Sequence, residues 1–182
     1  MVFSAIRINF HAYESKSMSD ILIYGIGNPG RQDDSLGVTF ATHMEDWVTT
    51  NNLNIDIEYN YQLNIEDAAR ISLHKIVIFA DASKESIENF VVSRISPKAS
   101  NDSLSHSVNP ESILFLCKEL FNCQPEVYMV HIKGYEWELG KPVTGMALKN
   151  LELAFKKIQN VFIQEINFKE LIVNLDTIFQ LG

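Results

Sequence analysis

Three aspartates and one histidine stand out for where they sit in the chain. Asp33 and Asp34 close the segment Gly25-Ile26-Gly27-Asn28-Pro29-Gly30-Arg31-Gln32-Asp33-Asp34, and Asp81 directly follows the apolar run IVIFA. His106 lies in the polar stretch SPKASNDSLSHSVN, residues 96–109, ahead of a helix-like segment. Two carboxylates and an imidazole make a three-ligand set for a borderline divalent ion such as nickel or zinc, with coordination positions left open for a substrate. Each residue also has a plainer use. An Asp at a helix N-cap stabilises by about 1 kcal/mol. One cap needs only one Asp, so the other is available for chemistry, and the helix dipole favours its ionised form. Asp81 would serve equally in an Asx turn opening the loop 81–86, and His106 as a solvated loop histidine.

The glycines before the acidic pair fit GxGxxG between a strand and a helix, the context of a dinucleotide fingerprint. Charge argues against that use. A pyrophosphate takes the free N–H groups and positive dipole end of the helix, where Asp33 and Asp34 already stand. Glu58 lies well past the spacing of about 20 residues expected of a ribose-binding acid. Gly25, Gly27 and Gly30 are read instead as serving the tight turn that presents the acidic pair, with Asn28 hydrogen-bonded inside it. Arg31 is expected to be a solvated surface arginine. His11, His43, His74 and His131 show no ligand spacing; His43 and His74 are expected on surfaces and His131 within a strand. No Ser–His or Cys–His nucleophile pair is visible. Cys117 and Cys123 read as inert packing residues.

The elements that must position these residues follow from apolar patterning. Ile21–Gly25, Ile76–Ala80 and Val127–Ile132 are continuous apolar runs, as expected of strands covered on both faces. Asn54–Tyr59 and Phe90–Ile95 are weaker, alternating strands. Ser35–Val48, Asn64–Leu73, Asn109–Phe121 and Leu148–Gln164 carry apolar residues at helical spacing, and Asn109-Pro110 supplies a cap and a first-turn proline. Phe168–Phe179 repeats the helical pattern. Alternating strands and helices imply one α/β domain with a mostly parallel sheet and helices on both faces. Ligands in such sheets sit beyond the carboxyl ends of the strands. That rule brings Asp34 and Asp81 to one edge and leaves His106 unplaced.

The chain has 182 residues, 46% hydrophobic and 21% charged, which suits one globular domain. We divide it into an N-terminal extension (1–17), an α/β domain (18–165) and a helical C-terminal extension (166–182). The net charge of −8 argues against nucleic-acid and anionic-membrane partners. No segment reaches the roughly 18 apolar residues of a spanning helix. Two cysteines are too few for a disulfide scaffold and suit a reducing, cytoplasmic setting.

Taken in order, GIGNPGRQDDSLGV, IVIFADA, the histidine before a helix, and HIKGYEWELGKPVTGMALKNL resemble the hydrogenase maturation proteases. The resemblance runs from about Ile21 to Phe162. It implies a twisted five-stranded sheet between helices. It also implies an endopeptidase that removes a short C-terminal peptide from the nickel-loaded large-subunit precursor of a nickel–iron hydrogenase, with nickel as the recognition element. The acid at the second position of the pair, the Asp ending the middle strand and the loop His would be both catalytic and metal-facing: Asp34, Asp81 and His106. Nickel would arrive with the precursor, leaving the resting enzyme metal-free. Gly134–Gly140 (GYEWELG) is similar to a family segment whose Tyr135 and Trp137 would line a peptide groove or close a hydrophobic cluster. Ser35 and Gln32 replace frequent glycines of the family without removing a ligand. GIGNPG also resembles the turn of bacterial peptidyl-tRNA hydrolases, but the sequence that follows lacks their catalytic histidine. A non-catalytic metal- or peptide-binding module of the same fold is the third possibility. The resemblance leaves the oligomeric state open.

Overall fold

A computed structural model describes residues 19–98 and 108–163. His106 and the two terminal extensions lie outside the described residues. Five strands form one sheet in the order β2-β1-β3-β5-β4. These are β1 (Ile21–Ile26), β2 (Asp56–Asn60), β3 (Ile76–Ser83), β4 (Phe90–Ile95) and β5 (Glu126–Lys133). The pairs β1/β2, β1/β3 and β3/β5 are parallel, and β4 runs antiparallel on the outer edge of β5.

Helices cover both faces. On one side α1 (Leu36–Thr50) and α4 (Gly145–Ile163) pack on Ile23, Ile76, Ile78, Ala80, Tyr128, Val130 and Ile132. On the other, α2 (Asp67–Ile71) and α3 (Pro110–Phe121) pack on Leu22, Tyr24, Val77, Phe79, Val127 and Met129. Both faces of β1, β3 and β5 are thus apolar, which is why these strands read as unbroken runs. The faces alternate along each strand, so β3 sends even-numbered residues toward α1 and α4 and odd-numbered ones toward α2 and α3. Asn109 caps α3 by accepting a hydrogen bond from the Ser112 N–H at 2.8 Å, with Pro110 at the first helical position.

Several expectations shift. β3 continues through Asp81 to Ser83, because the strand keeps pairing with β5 as far as Ser83–Lys133. Asp81 therefore sits inside a strand end, not at the start of an Asx-turn loop. The helix at 64–73 shrinks to five residues. α4 begins three residues earlier, at Gly145. His74 is buried, not on the surface: Nδ1 lies 3.0 Å from the Arg70 carbonyl and Nε2 lies 3.1 Å from Asp56 Oδ2. His43 is exposed as expected and its ring meets Phe155 edge-on.

Candidate functional site

The turn after β1 is shaped by what touches it. Gly27 has φ +142°, and a Cβ there would fall 1.9 Å from the Asp34 carbonyl oxygen. That oxygen accepts the Asn28 N–H at 3.1 Å. Asn28 also closes the turn through Oδ1, which accepts the Gly30 N–H at 2.9 Å. Gly25 has a different job from the turn. A Cβ at this position would meet the Gly37 carbonyl oxygen and the Ala41 Cβ, so Gly25 lets α1 lie against β1. The result is a short 3₁₀ turn, Gln32–Ser35, leading into α1 at the carboxyl end of the sheet.

The two aspartates of this turn have opposite fates. Asp33 is fully buried and does not cap its own helix. Its Oδ2 accepts the N–H groups of Tyr135 (2.8 Å) and Glu136 (3.1 Å) and the Thr144 hydroxyl (2.8 Å), and its Oδ1 accepts the Thr144 N–H (2.7 Å). Burial pushes the Asp33 carboxyl up, but the four donated hydrogen bonds outweigh it and hold it below the ordinary aspartate range. Gln32, with φ +44°, supports the same loop. Its Nε2 donates to Glu136 Oε2 at 2.7 Å, and its Oε1 accepts the Glu138 N–H at 2.9 Å. Arg31 is exposed, as expected, and its Nε also donates to the Trp137 carbonyl at 3.0 Å. Residues 31–33 thus fasten the segment 134–144 over the edge of the sheet. None of these three roles shows in the sequence, because every partner lies about a hundred residues away.

Asp34 is left over. Its carboxylate is partly exposed and makes no hydrogen bond or ion pair among the described residues. It lies close enough to Asp81 to act on it electrostatically. Burial first, and then the Asp34 charge, push the Asp81 carboxyl up to about 7, against a hydrogen bond accepted from the Ala82 N–H at 2.7 Å. Two carboxyl groups therefore act on each other at the carboxyl end of β1 and β3: Asp34, with no partner among the described residues, and Asp81, pushed up to about 7. Among the described residues no group of three or more His, Cys, Asp or Glu side chains is placed to hold a metal. The structure brings Asp34 and Asp81 together, and the third predicted residue, His106, lies outside the description.

The rim of this edge is aromatic. Tyr59, near the end of β2, and Tyr61, just past it, are exposed, and the Asn28 side chain donates to the Tyr61 hydroxyl at 3.3 Å. On the other side the Lys84 ammonium sits 4.7 Å from the centre of the Trp137 ring. Leu139, three-quarters exposed, is the most exposed large apolar side chain described. Tyr135 accepts from the Asn150 amide through its hydroxyl at 3.1 Å, so it belongs to the packing of α4 more than to an open groove. Sequence reading also missed a serine–histidine contact: the Ser93 hydroxyl lies 2.8 Å from His131 Nε2, across β4 and β5. Only the strand alternation, which puts both on the α3 side, could have signalled it. Cys117 is inert as expected. Burial, with a smaller contribution from Cys123, pushes its thiol up to about 11.

The fold matches solved structures. Over 80% of the chain and 94% of the other protein, it superimposes on the nickel–iron hydrogenase maturation protease HycI of Thermococcus kodakarensis, with TM-score 0.62 and 21% identity. The hydrogenase maturating endopeptidase HybD of E. coli gives 0.60 and 15%, covering 80% of this chain and 93% of that one. The endopeptidase HycI of Escherichia coli gives 0.55 and 18%, over 79% and 91%. The chain has the fold of the hydrogenase maturation proteases. No protein-family model matches the sequence, and no curated protein sequence does. The five-stranded, mostly parallel α/β architecture expected of the maturation-protease fold is the one observed. Among the described residues no helix is long and apolar enough to cross a membrane.

Proposed function

We propose that this protein is a hydrogenase maturation endopeptidase. It removes a short C-terminal peptide from the nickel-loaded large-subunit precursor of a nickel–iron hydrogenase. The observation that carries the proposal is the pair Asp34 and Asp81, in this fold, at the sheet edge where ligands bind. A buried carboxyl group left with its proton, beside an unpaired carboxylate, gains most from an incoming divalent cation.

Nickel in this reading is part of the substrate, held by the precursor, so the resting enzyme is metal-free. Asp34 and Asp81 reach toward it, and His106 supplies the third donor. Asp81 releases its proton as the metal docks, which ties recognition to pH. The docked metal works first as a template that holds one peptide bond against the site. The aromatic rim of Tyr59, Tyr61 and Trp137 suits an extended peptide. The unpaired thiols Cys117 and Cys123 fit a cytoplasmic reaction.

The test is processing of a purified nickel-loaded precursor by Asp34→Ala, Asp81→Ala and His106→Ala variants, read as a mass shift of the large subunit. Each variant is expected to lose cleavage. Full activity in any one removes that residue from the site, and intact precursor with the wild-type enzyme overturns the activity itself.

A further inference from the structure

The nickel-facing groups leave one chemical task without a residue. Hydrolysis of a peptide bond needs a group that takes a proton from water and returns one to the leaving nitrogen. A carboxylate committed to a metal is a weak base, so Asp34 and Asp81 are poor choices.

His131 is placed for this work. It stands in direct register with Asp81 on the neighbouring parallel strand, so both side chains leave the sheet on the same side. The two preceding positions on that side of β5, Val127 and Met129, are buried apolar residues. The row turns polar only at its carboxyl end, level with Asp81. His131 is half-buried, and its Nε2 is engaged by the Ser93 hydroxyl at 2.8 Å. That contact fixes the ring and commits one nitrogen. When Nε2–H donates to Ser93, the lone pair of Nδ1 is free to accept a proton. Burial holds the ring below the ordinary histidine range, opposed by Glu85, from the β3–β4 connection, and Glu111, in the first turn of α3.

We propose that His131, oriented by Ser93, is the proton carrier of the peptide-cleaving site beside Asp81. The inference rests on the proposed endopeptidase reading. A water oxygen bonds to the scissile carbonyl carbon, and the proton that water gives up passes to Nδ1 of His131. The carbon–nitrogen bond then breaks, and the same proton goes to the departing nitrogen, which leaves as an amine. No oxidant or further reactant is needed. Ser93 is a positioning residue in this scheme.

The experiment compares wild type, His131→Ala and Ser93→Ala on the nickel-loaded precursor, with and without added imidazole. His131→Ala is expected to lower kcat about 100-fold, the low end of what a positioned acid–base group contributes. KM should stay unchanged, and free imidazole should restore at least about tenfold of the lost rate. Ser93→Ala should lose about tenfold, with no rescue. Wild-type kcat in His131→Ala overturns the proposal, and so does a loss that imidazole leaves untouched. If His131→Ala unfolds, His131→Gln replaces it: the same loss at wild-type Tm supports the role, and wild-type kcat refutes it. Failure of the wild-type enzyme to cut is a different result, because it overturns the endopeptidase reading.

Discussion

Two acidic clusters flank this sheet, and they are built on opposite principles. On the β2–α2 flank, Asp56 and Glu58 face Arg70 and His74. Arg70 donates from its guanidinium to both carboxylates, and Asp56 also meets His74 at 3.1 Å. Every charge there has an answer within the chain. At the carboxyl edge, Asp34 and Asp81 face each other with no described cation between them. The first cluster spends its charge on joining a short helix to an edge strand. The second has no such answer among the described residues, and a carboxyl group perturbed by burial and by a like charge marks a candidate site. The same contrast runs through adjacent residues, since Asp33 is consumed by four hydrogen bonds and Asp34 by none.

The contrast breaks most sharply at Asp33. Asp33→Ala removes a buried acceptor from three N–H groups and a hydroxyl, and urea unfolding should show a loss of about 3–5 kcal/mol. Asp34→Asn makes the opposite point. Stability should change by less than about 0.5 kcal/mol, the range of substitutions away from packed or bonded positions. Precursor cleavage should nevertheless fall by at least about 100-fold, which corresponds to about 2.7 kcal/mol.

Asp81→Asn sharpens the comparison through pH. The folded protein holds the Asp81 proton up to about 7, whereas the unfolded chain releases it near 3.8. Between those values the folded state binds more protons, so this group's contribution to stability falls as pH rises through that window. The Asn variant escapes the loss. It should match wild type below about pH 4 and be more stable by roughly 1–3 kcal/mol above about pH 7, after allowance for partial solvent access. Thermal unfolding at pH 4 and pH 8 checks it. The smallest effect belongs to the other flank. Arg70→Ala removes ion pairs whose arginine is about one-third exposed, and should lose about 1 kcal/mol at low salt with cleavage unchanged.

What could be read in the sequence was what local chemistry decides. The strand Phe90–Ile95 and the helix opened by Asn109 and Pro110 emerge where expected, because alternation and capping are short-range signals. Asp34 and Asp81 share an edge because parallel topology forces strand ends together. The misreadings are all tertiary. Asp33 reads as a helix cap until Tyr135, Glu136 and Thr144 are folded against it. His74 reads as a surface residue until Asp56, from β2, meets it in the interior. Ser93 and His131 meet only because β4 turns back antiparallel beside β5.

The fastening of segment 134–144 by residues 31–33 has a consequence for anyone who would retarget this protein. Asp33 and Asp34 share a peptide bond, so whatever holds the first sets the position of the second. A loop borrowed from a relative cannot be treated as an interchangeable cassette. It must bring N–H groups where Tyr135, Glu136 and Thr144 present theirs, or the graft will shift the Asp34 carboxylate relative to Asp81. Substitution in this loop should cost least at the exposed Leu139 and most where the loop holds Asp33.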